Sequence, residues 1–255
     1  MPITKDGVEI KSLADWEQRA KPKSPIHWQD GRSAKETARC WLAGGERLPS
    51  EISATLESHA AFGPVLSWSA EPEAKLRFDS FSGEPRNSDL VVDAHDAHGH
   101  YLIAVEAKAD ETFGASVAKT LMVAQARLKE NPRSKGVERV RNLVSVLLAV
   151  PSPGHPKAEG IRYQLLTACA GAICEAERRG CTRALMLVHE FVTGETTDAG
   201  HRHNAWDLDQ FLQRISRDTI AGIRPGEIQG PLTGAPLLDG SVRLYIGKAV
   251  RNLRR

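Results

Sequence analysis

Two hydrophobic periods alternate along the chain, and each predicts its own kind of element. Ser33-Ala34-Lys35-Glu36 matches the Ser-x-x-Glu box that opens a helix. That helix is expected to run to about Ala43 and to end at Gly44-Gly45. Pro49-Ser50-Glu51 opens a second, in which Ile52, Leu56 and His59 recur at helical spacing. From Val65 the period becomes two, and short strands are expected over 65–69, 74–78, 89–94 and 101–107. Between the last two, Asp96-Ala97-His98-Gly99 has the length and polarity of a hairpin turn.

Helical spacing returns over 115–129, where Val117, Leu121, Val123, Ala124 and Leu128 form one stripe, and Pro132 stops it. Residues 143–150 read as a buried strand or a helix end, closed by Pro151-Ser152-Pro153-Gly154. A helix over 156–179 ends at Gly180, 183–192 is an apolar run of strand length, and 206–215 is a further helix with Asp207 near its start. This alternation predicts an α/β fold with a mixed central sheet flanked by helices, spanning residues 1–221. In 222–240 eight of nineteen residues are Gly or Pro, so 222–255 reads as a C-terminal extension: turns, a terminal strand at 241–246 and a basic tail of Arg251, Arg254 and Arg255.

Composition narrows the function classes only modestly. With 34 basic and 32 acidic residues the net charge is +2, so any nucleic-acid face must be local. The longest apolar run falls far short of the ~20 residues that span a bilayer. Residues 1–11 mix Lys and Asp with no apolar stretch, so no secretory signal is expected and the cytoplasm is the expected compartment. Cys40, Cys169, Cys174 and Cys181 form neither a C-x-x-C pair nor a regular framework, and read as small buried hydrophobes in a reducing environment.

The chemistry concentrates in Arg86-Asn87-Ser88-Asp89-Leu90 and in Val105-Glu106-Ala107-Lys108. Strand alternation puts Glu106 and Lys108 on one face and Ala107 on the other. If Asp96 pairs with Gly99, opposed positions sum to 195 and Asp89 stands opposite Glu106. A two-residue slip sets it opposite Lys108 and keeps the trio together. Two close carboxylates repel unless a cation lies between them, and hard oxygen donors suit Mg²⁺ or Mn²⁺, so Asp89 and Glu106 are the expected metal ligands. A divalent ion with Lys108 beside it suits phosphodiester hydrolysis.

This pattern resembles the Asp…Glu-x-Lys signature of the PD-(D/E)xK nuclease superfamily, the restriction-endonuclease-like fold, with Ser88 where the name has Pro. The chain is also similar to an uncharacterised bacterial family carrying that signature. The likeness extends over Gly31-Arg32-Ser33-Ala34-Lys35-Glu36, Glu111-Thr112-Phe113-Gly114, Arg162-Tyr163-Gln164-Leu165-Leu166 and Met186-Leu187-Val188-His189. The resemblance implies a Mg²⁺- or Mn²⁺-dependent nuclease with Asp89 and Glu106 as ligands and Lys108 as catalytic lysine. It further implies a helix acid, Glu36 or Glu51, and a helix Gln, Gln164. Nucleic acid is then the expected partner, DNA ahead of RNA, with no membrane and with a homodimer as one arrangement. Lys108→Ala is expected to abolish hydrolysis with little loss of folding.

Other readings stay open at this level. The trio can be a salt-bridged surface hairpin, or the fold can be a catalytically silent module acting in binding or regulation. Asp93 can replace Asp89, and Glu111 is either a supporting acid or a helix N-terminal carboxylate. His95, His98 and His100 resemble a zinc cluster but sit in a turn with strand alternation and are expected to have no Cys partner, so a polar hairpin tip is favoured. His201-Arg202-His203 lacks a third ligand, and His189-Glu190 lacks the second His of a metalloprotease helix. No phosphate loop of Walker or Rossmann spacing occurs, so no nucleotide cofactor is expected.

Overall fold

The computed structural model describes residues 3–22, 24–148 and 156–254. A short ribbon of β1 (Thr4–Lys5) and β2 (Val8–Glu9) leads into α1 (Leu13–Ala20), α2 (Ser33–Ala43) and α3 (Ser50–Glu57). Three antiparallel strands follow: β3 (Ser67–Leu76), β4 (Arg86–Asp96) and β5 (Gly99–Lys108). Then come α4 (Val117–Glu130), α5 (Gly136–Leu147), α6 (Tyr163–Arg178), β6 (Arg183–Val192), α7 (Asp198–Ile215), β7 (Glu227–Leu232) and β8 (Arg243–Asn252).

The six long strands form one mixed sheet in the order β3-β4-β5-β6-β8-β7. β5, β6 and β8 run parallel, and the outer pairs are antiparallel. Alternation along the strands divides the core in two. Leu102, Ala104, Met186 and Ile246 join residues of α5, α6 and α7 on one face. Ile103, Val105, Leu187 and Tyr245 join Trp16, Trp41 and Ile52 from α1 to α3 on the other. The architecture is therefore the expected α/β arrangement, a mixed sheet with helices on both sides.

Several boundaries differ from the sequence reading, each for a local reason. The two strands expected at 65–69 and 74–78 are a single strand, β3. Its alternation inverts at Glu73, whose φ of 49° is left-handed: Ala70 lies in one core, Ala74 and Leu76 in the other. Residues 143–147 are the end of helix α5, and the Pro-rich closure expected at 151–154 lies outside the described residues. α6 begins at Tyr163 because 158–160 form a separate 3₁₀ turn. α7 begins eight residues earlier than expected, where the Thr197 hydroxyl accepts from Gly200 N as a cap. On α4, Val123 and Leu128 face solvent, so its buried stripe reduces to Val117 and Ala124 with Leu121 half-covered.

The largest revision concerns 222–255. This segment is not appended to the sheet but completes it: β8 pairs with both β6 and β7. Pro231 is tolerated in β7 because that strand lies at the edge. Among the described residues no helix is long and apolar enough to cross a membrane.

Candidate active site

The β4–β5 ladder runs from Asp96↔Gly99 to Leu90↔Val105, every pair summing to 195. That is the register the turn implied. Beyond Leu90 the strands part, and the Asp89 carboxylate accepts the Ala107 N–H at 2.7 Å in place of a ladder carbonyl. Asp89 is thereby fixed level with Glu106 at the mouth of the opening.

Glu106 is the electrostatic centre. Its Oε1 accepts from Lys108 Nζ at 2.7 Å and from Gln164 Nε2 at 2.6 Å. Its Oε2 pairs with the Arg86 guanidinium, which also donates to Thr167 Oγ1 at 3.1 Å. Gln164 reaches in because α6 starts against the loop after β5: Tyr163 N donates to Ala115 O and Val117 N to Ile161 O. Lys108 lies 5.2 Å from the centre of the Phe113 ring. Asp89, Glu106, Lys108, Phe113, Gln164 and Thr167 border a cleft of about 570 Å³, lined also by Glu73, Glu111 and Thr120, with Arg86 behind Glu106.

Burial and crowding set the charge states. Burial first, then the Glu106 charge, push the Asp89 carboxyl up to about 7, with Lys108 opposing and Glu73 adding to the rise. Burial also acts to raise Glu106, but Lys108 and Arg86 outweigh it and hold this carboxyl below its usual range. Glu111 is lowered in the same sense: burial is overcome by N–H donors, Ser33 and the Lys108 charge.

Of the residues singled out in the sequence, Asp89, Glu106, Lys108 and Gln164 share this cleft. The helix acids do not. Glu36 accepts from Gly31 N at 2.8 Å and from Arg39, closing the start of its own helix. Glu51 lies on the opposite face of the sheet, because α3 buries Ile52 and Leu56 in the second core. Asp93, four residues along β4, is tied to His100 and Arg179. Glu111 is a helix N-terminal carboxylate, but of α2: it accepts from Ser33 Oγ at 2.9 Å and Ser33 N at 3.4 Å, whereas α4 begins only at Val117.

Two participants were missed. Arg86 opened the stretch that carries Asp89 but was given no role, because the strand was expected to start only at Asp89, and Glu73 sits on β3 opposite Asp89 in the β3–β4 register. That register sums to 162 and depends on a nine-residue connection, too long for turn chemistry to fix it. Lys108 also departs from expectation. It is 5% exposed and paired with a buried carboxylate, so its removal costs folding stability as well as chemistry.

A scan against protein families matches the domain of unknown function DUF6946 over residues 9–253. The chain belongs to the DUF6946 family. The match takes in every strand of the six-stranded sheet, β7 and β8 included, and the whole cleft. Searches of curated proteins and of solved structures return no match.

Among the described residues of this DUF6946 chain, two further clusters combine metal-ligating side chains, and both already hold an arginine. Cys40, Glu51 and His189 converge under α2 and α3, where Arg251 donates twice to Glu51 at 2.6 and 2.7 Å. Asp93, His100 and Cys181 meet at the hairpin end, where Arg179 pairs with Asp93. The His95 and His100 rings stack at 4.4 Å, and His98 reaches toward Ala61 O, so the three histidines do not converge on one point. All four cysteines are free thiols.

Proposed function

We propose that this chain is a divalent-metal-dependent phosphodiesterase acting on nucleic acid through the Asp89–Glu106–Lys108 cleft. The observation that carries the reading is the convergence of Asp89, Glu106, Lys108 and Gln164 on one opening, fixed by the parting of β4 from β5.

The donor set suits Mg²⁺ or Mn²⁺. Four carboxylates (Glu73, Asp89, Glu106 and Glu111) line the cleft with the Lys108 ammonium, and burial followed by the Glu106 charge raises Asp89, a cost that a bound cation would relieve. Asp89 and Glu106 would hold the ion, which supplies Lewis acidity toward a phosphodiester and a more acidic water. Gln164 and Arg86 hold the Glu106 carboxylate in one orientation. The Lys108 ammonium, desolvated beside Phe113, is available to orient the attacking water and to balance charge building on the phosphoryl oxygens.

One observation favours a second reading, a catalytically silent module of the same fold. Both Glu106 oxygens are already engaged by cationic or amide donors, as in a structural ion network. A cleavage assay separates the two. Single- and double-stranded DNA and RNA are incubated with the protein in Mg²⁺, in Mn²⁺ and in EDTA. The expected result is metal-dependent cleavage, falling by on the order of 10²-fold or more in Lys108→Ala that is verified as folded. Full activity in that variant, or no cleavage of any substrate by the wild type, goes against the enzyme and for the module.

A further inference from the structure

The first half of α7 is the part of the cleft's surroundings that hydrolysis leaves without a role. It carries His201-Arg202-His203 and Trp206. Trp206 is 55% exposed, whereas Trp16 and Trp41 are buried and Trp28 and Trp68 pack against the second core. Its ring stacks with that of His203 at 6.3 Å between centres and 24° between planes. His203 Nε2 lies 2.7 Å from the Arg162 guanidinium.

This aromatic pair is fastened to the cleft. Arg162 donates to Gly114 O at 2.9 Å, and Gly114 lines the opening. Asn204 Nδ2 donates to the backbone oxygen of Glu111, another lining residue, at 2.8 Å. Beneath, the buried Asp207 carboxylate pairs with Arg162 at 2.8 Å and approaches His203 at 3.4 Å. Arg202 stands exposed on the same helix. The rim therefore offers a flat π-surface on the same helix as the exposed Arg202, anchored through Arg162 within a residue of Tyr163 and two of Gln164.

We infer that Trp206, with His203 and Arg162, is a stacking platform for an unpaired base of single-stranded nucleic acid. The inference rests on the nucleic-acid reading of the cleft. Continuity with the cleft and the exposed Arg202, one helical turn before Trp206, select this occupant. The phosphate chain meets the Arg202 charge while the base lies on the indole, a contact that every base can make because each has a π-face. A base pair inside a duplex keeps both its faces stacked on its neighbours and has no use for such a surface.

The test is fluorescence anisotropy with a labelled single strand of about 12 nucleotides and a duplex of equal length, in Ca²⁺. Trp206→Ala is expected to weaken single-strand binding by about tenfold or more, Trp206→Phe to retain most of it, and duplex binding to stay within twofold. Because Trp206 is largely solvent-exposed, the substitutions leave the core intact. Single-strand binding unchanged in Trp206→Ala overturns the platform while sparing the reading of the cleft, as does an equal loss for single strand and duplex. Failure of the wild type to bind either oligonucleotide overturns both.

Discussion

Replacing Asp89 by Asn is expected to stabilise the metal-free protein at pH 8 by a few kcal/mol and to leave its stability at pH 4 nearly unchanged. Asp89 titrates at about 7 in the folded chain against an ordinary 3.8, because burial and the neighbouring Glu106 disfavour its charged form. Below the ordinary value the carboxyl is protonated in both folded and unfolded chains and contributes no difference. As pH rises toward 7 the unfolded chain releases this proton and the folded chain keeps it, so folding becomes steadily less favourable. Above 7 the full cost applies, on the order of 4 kcal/mol as an upper bound, since water entering the cleft relieves part of it. The amide removes the cost without changing the side chain's shape. Urea unfolding of both proteins in EDTA at pH 4 and pH 8 measures it. A difference that does not grow with pH contradicts the charge state assigned to Asp89.

Arg183→Met is expected to act in the opposite direction and at any pH near neutrality, costing about 3–5 kcal/mol. Arg183 opens β6 and is buried against the Asp96 end of the hairpin. Its two terminal nitrogens bond the two Asp96 oxygens at 2.9 and 2.7 Å, and one also donates to Gly99 O at 2.8 Å. The guanidinium carbon lies 4.7 Å from the Tyr101 ring centre and 5.4 Å from that of Phe62. Burial acts to raise Asp96, but Arg183 and the Gly63 and His98 N–H groups overcome it and hold this carboxyl low. Methionine fills much of the volume but leaves Asp96 charged in a closed pocket with only its N–H donors. Urea midpoints at pH 7 report the loss, and Asp96→Asn in the Arg183→Met background should recover part of it. A loss below about 1 kcal/mol, the range of an exposed pair, contradicts the description of this pair as a buried anchor of the sheet.

These two buried charges mark what a sequence discloses and what it hides. The β4–β5 register was readable because a two-residue turn fixes it, and strand alternation then placed Asp89, Glu106 and Lys108 together. Gln164 entered only through resemblance, since nothing local tells a helix residue which strand it will face. Glu73 was hidden by its own geometry: a left-handed residue inverts the alternation of β3 and makes one strand look like two. Glu51 looked eligible as a helix acid, but the apolar stripe of Ile52 and Leu56 turns α3 to the far side of the sheet. The Gly and Pro content of 222–240 suppressed the strand signal of β7, because an edge strand tolerates residues that a central one does not. Arg183 showed only as the first residue of an apolar run, and its partner Asp96 only as a turn residue.

The claim on which the rest depends is that Asp89 and Glu106 form a cation site. Calorimetric titration of Mn²⁺ into the wild-type protein and into Asp89→Asn tests it without assuming a substrate. The account predicts binding to the wild type that strengthens as pH rises through 7, because the ion must displace the Asp89 proton, and that is lost in the variant. No binding to either protein, or equal binding to both, contradicts it.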